Sequence, residues 1–271
     1  MTDELASVID GLRQPQKMIS PKYFYDETGS KLFDDITQQP EYYLTDTELG
    51  IMDTYIDEMA EQIGAQASLI EFGAGSSMKT RMLLEHMRSP AAYVPVDISE
   101  EHLLESQRSI QADFPNVEVL PVAADFLHPF ELPDPQTTPL RNVVYFPGST
   151  IGNFEHEDAV DLLRVMHTEA GADGALLIGA DLQKDAAIID AAYNDSAGVT
   201  EQFNLNILRH LNRTFGGNFD LDAFEHRASY ERDEGRVVVE LVSKRDQEAS
   251  LGDARIEFER DDVPLVATRD E

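Results

Sequence analysis

Between Ser68 and Ile178, short apolar runs alternate with stretches of helical length, and this alternation constrains the fold more than any other feature of the chain. It predicts strands at Leu69–Phe72, Tyr93–Val96, Val117–Val122, Asn142–Phe146 and Ala175–Ile178. Helices are predicted at Lys79–Met87, Glu100–Ala112 and Glu157–Glu169. Apolar strands joined through helices pair in parallel, with the helices packed on the sheet faces. The expected class is therefore α/β, with a doubly wound, Rossmann-like sheet.

The flanks read differently. Residues 1–62 form a polar, helical lead-in, in which Thr45 is a candidate N-cap and Glu48, three residues on, completes a capping-box pattern ahead of Leu49-Gly50-Ile51-Met52. After Asp185, helices at Ala186–Ala192 and Thr200–Thr214 precede two strands, Phe224–Tyr230 and Arg236–Lys244, joined by the turn Asp233-Glu234-Gly235. A third candidate strand, Ala254–Glu259, follows Gly252-Asp253, and Thr268–Glu271 shows no evident closing element, as expected of a chain cut short. The domain expectation is a helical segment 1–62 contributing to a substrate pocket, a core 63–185, and a partly substrate-binding region 186–271. The simplest partition is one continuous domain.

Composition excludes several classes of function. A chain of 271 residues, 42% of them hydrophobic, can bury a full core. No run of about 18 apolar residues and no charged-then-apolar leader is present, so neither a membrane span nor a signal peptide is expected. Zero cysteines remove disulfides, thiolate metal sites and cysteine nucleophiles, which fits a reducing, cytoplasmic location. Fifty-two acidic residues against 21 basic ones give a formal net charge of -31, so nucleic acids and acidic membranes are not expected partners. The acids are dispersed and only six of the basic residues are lysine, a pattern that suggests a high-salt, halophilic host; a monomer is expected. The seven histidines are scattered without metal-ligand spacing, and no GxSxG elbow supports hydrolase chemistry.

Ligands of an open parallel sheet bind beyond the carboxyl ends of its strands, which directs attention to four loops. The first is Glu71-Phe72-Gly73-Ala74-Gly75-Ser76-Ser77, leading into Lys79-Thr80. Glycine lets backbone approach a ligand, and a helix start attracts polar groups, yet a single GxG also suits an ordinary tight turn. Asp97 ends the second strand 22 residues after Gly75, where a carboxylate could accept ribose hydroxyls or could cap the next helix. Ala124-Asp125-Phe126 could read an adenine amino group and ring, or could be a capped turn with a core phenylalanine. The fourth loop, Phe146–Asn153, carries two glycines and several polar residues. Two strand-end acids with GxG and no pyrophosphate cradle favour S-adenosylmethionine over NAD. Upstream, four of nine tyrosines cluster at Tyr23, Tyr25, Tyr42 and Tyr43, as pocket lining or as half-buried packing.

Ser20–Phe33, Pro40-Glu41-Tyr42-Tyr43, Thr47-Glu48, Glu71–Thr80, Tyr93–Asp97, Gly148–Asn153, Asp181–Asp185, Tyr193–Asp195, Gly198–Thr200 and Phe203-Asn204 together resemble the L-histidine Nα-methyltransferase family of the ergothioneine pathway. The resemblance covers about residues 20–245. It implies a methyltransferase sheet with an appended substrate-binding region and S-adenosylmethionine as cofactor, held by Tyr25, Gly73, Lys79, Asp97, Asp125 and Phe126. It also implies an amino-acid substrate held by Tyr42, Asn153 and Tyr193, and three successive methyl transfers to the α-nitrogen. Two departures stand out. Val239 occupies a place where the family often has methionine, and the glutamate and serine that read the imidazole have no clear match unless Ala267-Thr268-Arg269 replaces them. Relatives of the family methylate other aromatic amino acids, such as tryptophan, so that alternative stays open beside a non-catalytic or partner-dependent member.

Overall fold

A computed structural model describes residues 3–75 and 77–270; Ser76 of the glycine turn and the terminal Met1, Thr2 and Glu271 lie outside the described residues. The chain divides into two compact units, Leu44–Asp181 and the pair of segments Met1–Tyr43 with Leu182–Glu271. Helices α1 (Asp3–Leu12) and α2 (Glu27–Ile36), with a 3-10 turn at Pro21–Phe24 between them, precede α3 (Tyr43–Ile63).

The unit 44–181 is built on a parallel sheet. Its strands are β1 (Ala67–Phe72), β2 (Ala92–Asp97), β3 (Glu118–Val119), β4 (Val122–Ala123), β5 (Arg141–Phe146) and β6 (Ala175–Ile178). The order is β3-β2-β1-β5-β6, with β4 also pairing with β2, and every pairing is parallel. The segment expected as one strand at Val117–Val122 is two, because Pro121 has no N–H to donate to the ladder.

All six residues of β1 are buried, so each face must be covered. Alternation along the strand decides which residue faces which layer. Leu69, Tyr93, Val143 and Tyr145 pack with Met52 and Ile56 of α3 and with Leu83 and Leu84 of α4 (Met78–His86). Ile70, Phe72, Val94, Val144 and Phe146 pack with Leu162, Val165 and Met166 of α6 (His156–Ala170). Between these helices in sequence, α5 (Glu100–Asp113) adds Ile110 to the first layer. Each fully buried aliphatic or aromatic side chain contributes about 1.5–3 kcal/mol, so the sheet is a rigid base for its loops.

The other unit continues with α7 (Ala186–Tyr193), α8 (Val199–Phe215) and, among the described residues, five antiparallel strands. Strands β7 (Phe224–Glu231), β8 (Arg236–Ser243) and β11 (Leu265–Asp270) form a sheet in the order β11-β8-β7, while β9 (Gln247–Leu251) pairs with β10 (Ala254–Phe258). The chain expected to run out without a closing element therefore has one in β11. Its signal, Leu265-Val266-Ala267-Thr268, is short and follows Pro264, which hid it. The N-terminal segment joins here: Leu265 N–H donates to Lys17 C=O at 2.9 Å, and Ile19 N–H donates to Leu265 C=O at 3.0 Å.

Helix α8 buries Phe203, Asn204, Asn206, Ile207, Leu208 and Leu211, the spacing of one helical face. Its first turn is capped by Asp195, which accepts the N–H groups of Val199 at 2.8 Å and Thr200 at 2.7 Å. Asp26 accepts from Gly29 N–H at 2.7 Å, Asn206 Nδ2 at 2.8 Å and an Arg213 guanidinium nitrogen at 2.7 Å, which fixes α2 to α8. Among the described residues, no helix is long and apolar enough to cross a membrane.

Candidate functional site

Parallel pairing sends the carboxyl ends of β1, β2, β4 and β5 to one edge of the sheet, and the four candidate ligand loops leave from that edge. Gly73 has φ +73°, and its N–H donates to Val96 C=O at 2.9 Å, which ties the turn to β2. A side chain at Gly75 would meet nothing nearer than the Gly73 carbonyl at 4.0 Å. The space over Gly75 is therefore open, and glycine there leaves the backbone accessible to a ligand.

Phe126 lies beside this turn. A side chain at Gly73 would touch its ring edge at 3.8 Å, and the ring packs against Phe72 and Phe146 with centroids 5.5 and 6.1 Å apart. Asp97 Oδ1 accepts Ser99 N–H at 2.9 Å, and Asp125 Oδ1 accepts Leu127 N–H at 3.1 Å. Both acids thus help to hold their own loops in shape.

Glu71, the last acid of β1, is buried and its Oε2 accepts from Thr80 Oγ1 at 2.7 Å and Tyr93 Oη at 2.6 Å. Burial pushes its carboxyl up to about 7, against the opposing pull of those two hydrogen bonds and of Lys79.

Glu48 does not serve the capping role expected of it. Helix α3 begins at Tyr43, so Thr45 lies inside the first turn, and the Glu48 carboxylate turns instead to the end of β5. Both of its oxygens lie 3.0 Å from Gly148 N–H, and Oε2 also takes the Lys79 ammonium. The sequence signal was Glu48 within Thr47-Glu48, but a capping pattern explained it locally and concealed the long-range partner. Gly148 at φ +80° and Ser149 at φ +54° form two consecutive left-handed residues, and Asp181 N–H donates to Ser149 Oγ at 2.9 Å. Asn153 ends the 3-10 turn Thr150–Asn153 that follows.

In the other unit, Tyr25, Tyr42 and Tyr193 belong to a chain of ring contacts. Tyr25 meets Phe33 at 5.9 Å and Phe203 at 5.7 Å, Phe33 meets Tyr42 at 6.3 Å, and Tyr42 meets Tyr193 at 6.5 Å, mostly edge to face. Tyr42 and Tyr193 are buried, while Tyr25 keeps 48% of its surface open. Desolvation around its hydroxyl pushes the Tyr25 phenol up to about 12, with Tyr42 adding to the rise and the Arg269 charge on β11 opposing it. Arg269 is itself buried, so the strand absent from expectation brings a cation toward Tyr25. Val239 is buried on β8 opposite Ala267. The two remaining tyrosines of the cluster are engaged elsewhere: Tyr43 accepts from Lys184 Nζ at 3.0 Å, and Tyr23 donates to Glu4 at 3.3 Å.

His226 supports Tyr193 from behind. Asn204 Nδ2 lies 2.8 Å from His226 Nδ1, and His226 Nε2 lies 3.0 Å from Tyr193 C=O. This pairing assigns the proton to Nε2, which donates to the carbonyl, and burial lowers the imidazole pKa so that the ring stays neutral.

A model of the family described as histidine-specific, S-adenosylmethionine-dependent methyltransferases matches residues 4–265. The chain is 39% identical to the histidine N-alpha-methyltransferase of Mycolicibacterium smegmatis, over 92% of this chain and 78% of that protein. It is 38% identical to the protein of the same name from Mycobacterium tuberculosis, over 96% and 81%. Ergothioneine biosynthesis protein 1 of Schizosaccharomyces pombe is 28% identical over 89% of this chain, which spans 33% of that longer protein.

Proposed function

Because this chain belongs to the histidine-specific, S-adenosylmethionine-dependent methyltransferase family, we propose that it methylates the α-amino nitrogen of L-histidine, three times in succession, to the trimethylated betaine. The observation that carries this reading is the 39% identity over 92% of the chain to a histidine N-alpha-methyltransferase. We place the reaction in ergothioneine biosynthesis, the pathway for which a third relative is named.

The residues present suit the cofactor. The open space over Gly75 and the positive φ of Gly73 admit a ligand against backbone, and the Lys79 ammonium offers a partner for an amino-acid carboxylate. Asp97 would accept the ribose hydroxyls, Asp125 the adenine amino group, and Phe126 would pack on the ring, with Tyr25 as a further contact. When bound, S-adenosylmethionine supplies a methyl group on a positively charged sulfur.

The remaining work is positioning. Tyr42, Asn153 and Tyr193 would hold the amino and carboxylate ends of the substrate, and the His226–Asn204 pair keeps the Tyr193 main chain in place. Methyl transfer requires the neutral amine, so a pocket whose hydrogen bonds favour that form and aim the nitrogen lone pair at the methyl group takes the place of an assigned strong general base. The dispersed acidic surface fits a high-salt cytoplasm, and a small-molecule substrate with no nucleic-acid or membrane partner; the monomer is the expected state.

The test is to incubate the protein with S-adenosylmethionine and each free amino acid in turn, and to read products by mass. Mono-, di- and trimethylated histidine are expected. Methylation of tryptophan or another amino acid in preference to histidine would move the specificity, and cofactor binding without any product would leave a non-catalytic member.

A further inference from the structure

We propose that Glu48 is a positioning residue: one carboxylate holds both the Lys79 ammonium and the Gly148 turn, and so couples the lysine assigned to the cofactor to the loop that carries Asn153. The inference rests on the functional reading above for the roles of Lys79 and Asn153, and on geometry within the unit 44–181 for the coupling.

Three features show that the fold is arranged around this carboxylate. The Glu48 and Lys79 side chains are only 18% and 15% exposed, so the pair is screened far less than a surface ion pair. Gly179 makes room for it: a side chain there would come within 2.4 Å of Glu48 Oε1 and 3.2 Å of Gly148 N. Finally, the clamped turn is strained. Ser149 sits at φ +54° and ψ +27°, a conformation that costs a non-glycine residue free energy and persists when neighbours enforce it. Glu48 enforces it from the Gly148 side and the Asp181 N–H from the Ser149 side.

The consequence is preorganisation. A lysine loses considerable rotamer freedom when it meets a ligand, and Glu48 makes part of that loss beforehand. The same carboxylate sets the start of the 3-10 turn that ends at Asn153, so a single side chain acts on two ligands through two different arms.

The arms separate in two variants. Glu48→Gln keeps a carbonyl oxygen for Gly148 N–H but loses the charge facing Lys79; Glu48→Ala loses both. Calorimetry gives the dissociation constant for S-adenosylmethionine, steady-state kinetics gives KM for histidine, and thermal melts monitor folding. One charge-assisted hydrogen bond corresponds to about tenfold in affinity. Glu48→Gln is expected to weaken the cofactor about tenfold while leaving the histidine KM within about twofold, and Glu48→Ala is expected to raise that KM about tenfold as well. In a Lys79→Met background, Glu48→Gln is expected to add nothing to the cofactor constant.

The proposal is overturned if Glu48→Gln weakens the cofactor as much in the Lys79→Met background as in the parent, or if both Glu48 variants change only the melting temperature. It also falls if Lys79→Met leaves cofactor affinity unchanged. A parent protein that binds cofactor but methylates nothing would overturn the functional reading, while the calorimetric cycle would still decide the link between Glu48 and Lys79.

Discussion

Replacing Glu71 by glutamine should remove a pH-dependent loss of stability. Glu71 is 3% exposed, and its folded pKa is raised to about 7 from an ordinary value of 4.5, chiefly because burial disfavours the charge. A carboxyl with a raised folded pKa binds its proton more tightly in the folded state. That stabilisation is complete below the unfolded value and is lost as pH rises to the folded value. The gap of about 2.5 pH units at about 1.36 kcal/mol each corresponds to about 3 kcal/mol, with most of the change falling between about pH 5 and about pH 7. Glutamine keeps an oxygen that can accept from Thr80 and Tyr93 but does not titrate. Urea denaturation of parent and variant from about pH 5 to about pH 8 measures the effect, and the difference between them cancels the repulsion among the other acids. The variant should gain about 2–3 kcal/mol relative to the parent across that range. A difference that stays constant with pH would refute the reasoning, because it would mean that Glu71 is ionised throughout.

Four further outcomes are expected. Gly29→Ala would place a methyl group 1.6 Å from the Phe24 carbonyl oxygen, and should cost about 3 kcal/mol in denaturant unfolding. Gly50→Ala, where nothing lies within 4 Å inside α3, should instead stabilise by about 0.5–1 kcal/mol. Asp195→Ala removes the acceptor for two N–H groups at the start of α8 and should cost about 1–2 kcal/mol. Burial opposes ionisation of Asp195, but the bonds from Thr200 and Val199 hold its pKa below the ordinary 3.8, so the penalty should vanish as pH falls through the folded pKa; melts at neutral and strongly acidic pH check this. Asn153→Ala should raise the histidine KM about tenfold with the cofactor dissociation constant unchanged, as kinetics and calorimetry would show.

How much of this was legible in the sequence depends on whether a residue's partner is near it in the chain. Leu69–Phe72, Tyr93–Val96 and Asn142–Phe146 announce themselves because a strand covered on both faces is predominantly apolar, with Glu71 the buried exception, and the glycine turn follows the first of them directly. Asp97 and Asp125 could be placed at strand ends for the same reason. The Glu48 contact spans 100 residues to Gly148, and a capping box satisfied the local pattern, so the sequence pointed to the wrong partner. Strand β11 is short, begins after Pro264, and is held by Lys17, Met18 and Ile19 from the other end of the chain. The Tyr193–His226–Asn204 support likewise joins two helices and a strand, and no spacing rule relates those positions.

The most direct test of the central claim is to supply L-histidine and S-adenosylmethionine carrying an isotopically labelled methyl group, and to locate the label in the product by nuclear magnetic resonance. The account predicts that the label accumulates on the α-nitrogen through the mono-, di- and trimethylated forms. Label on a ring nitrogen, or no transfer to histidine by protein that binds the cofactor, would contradict it.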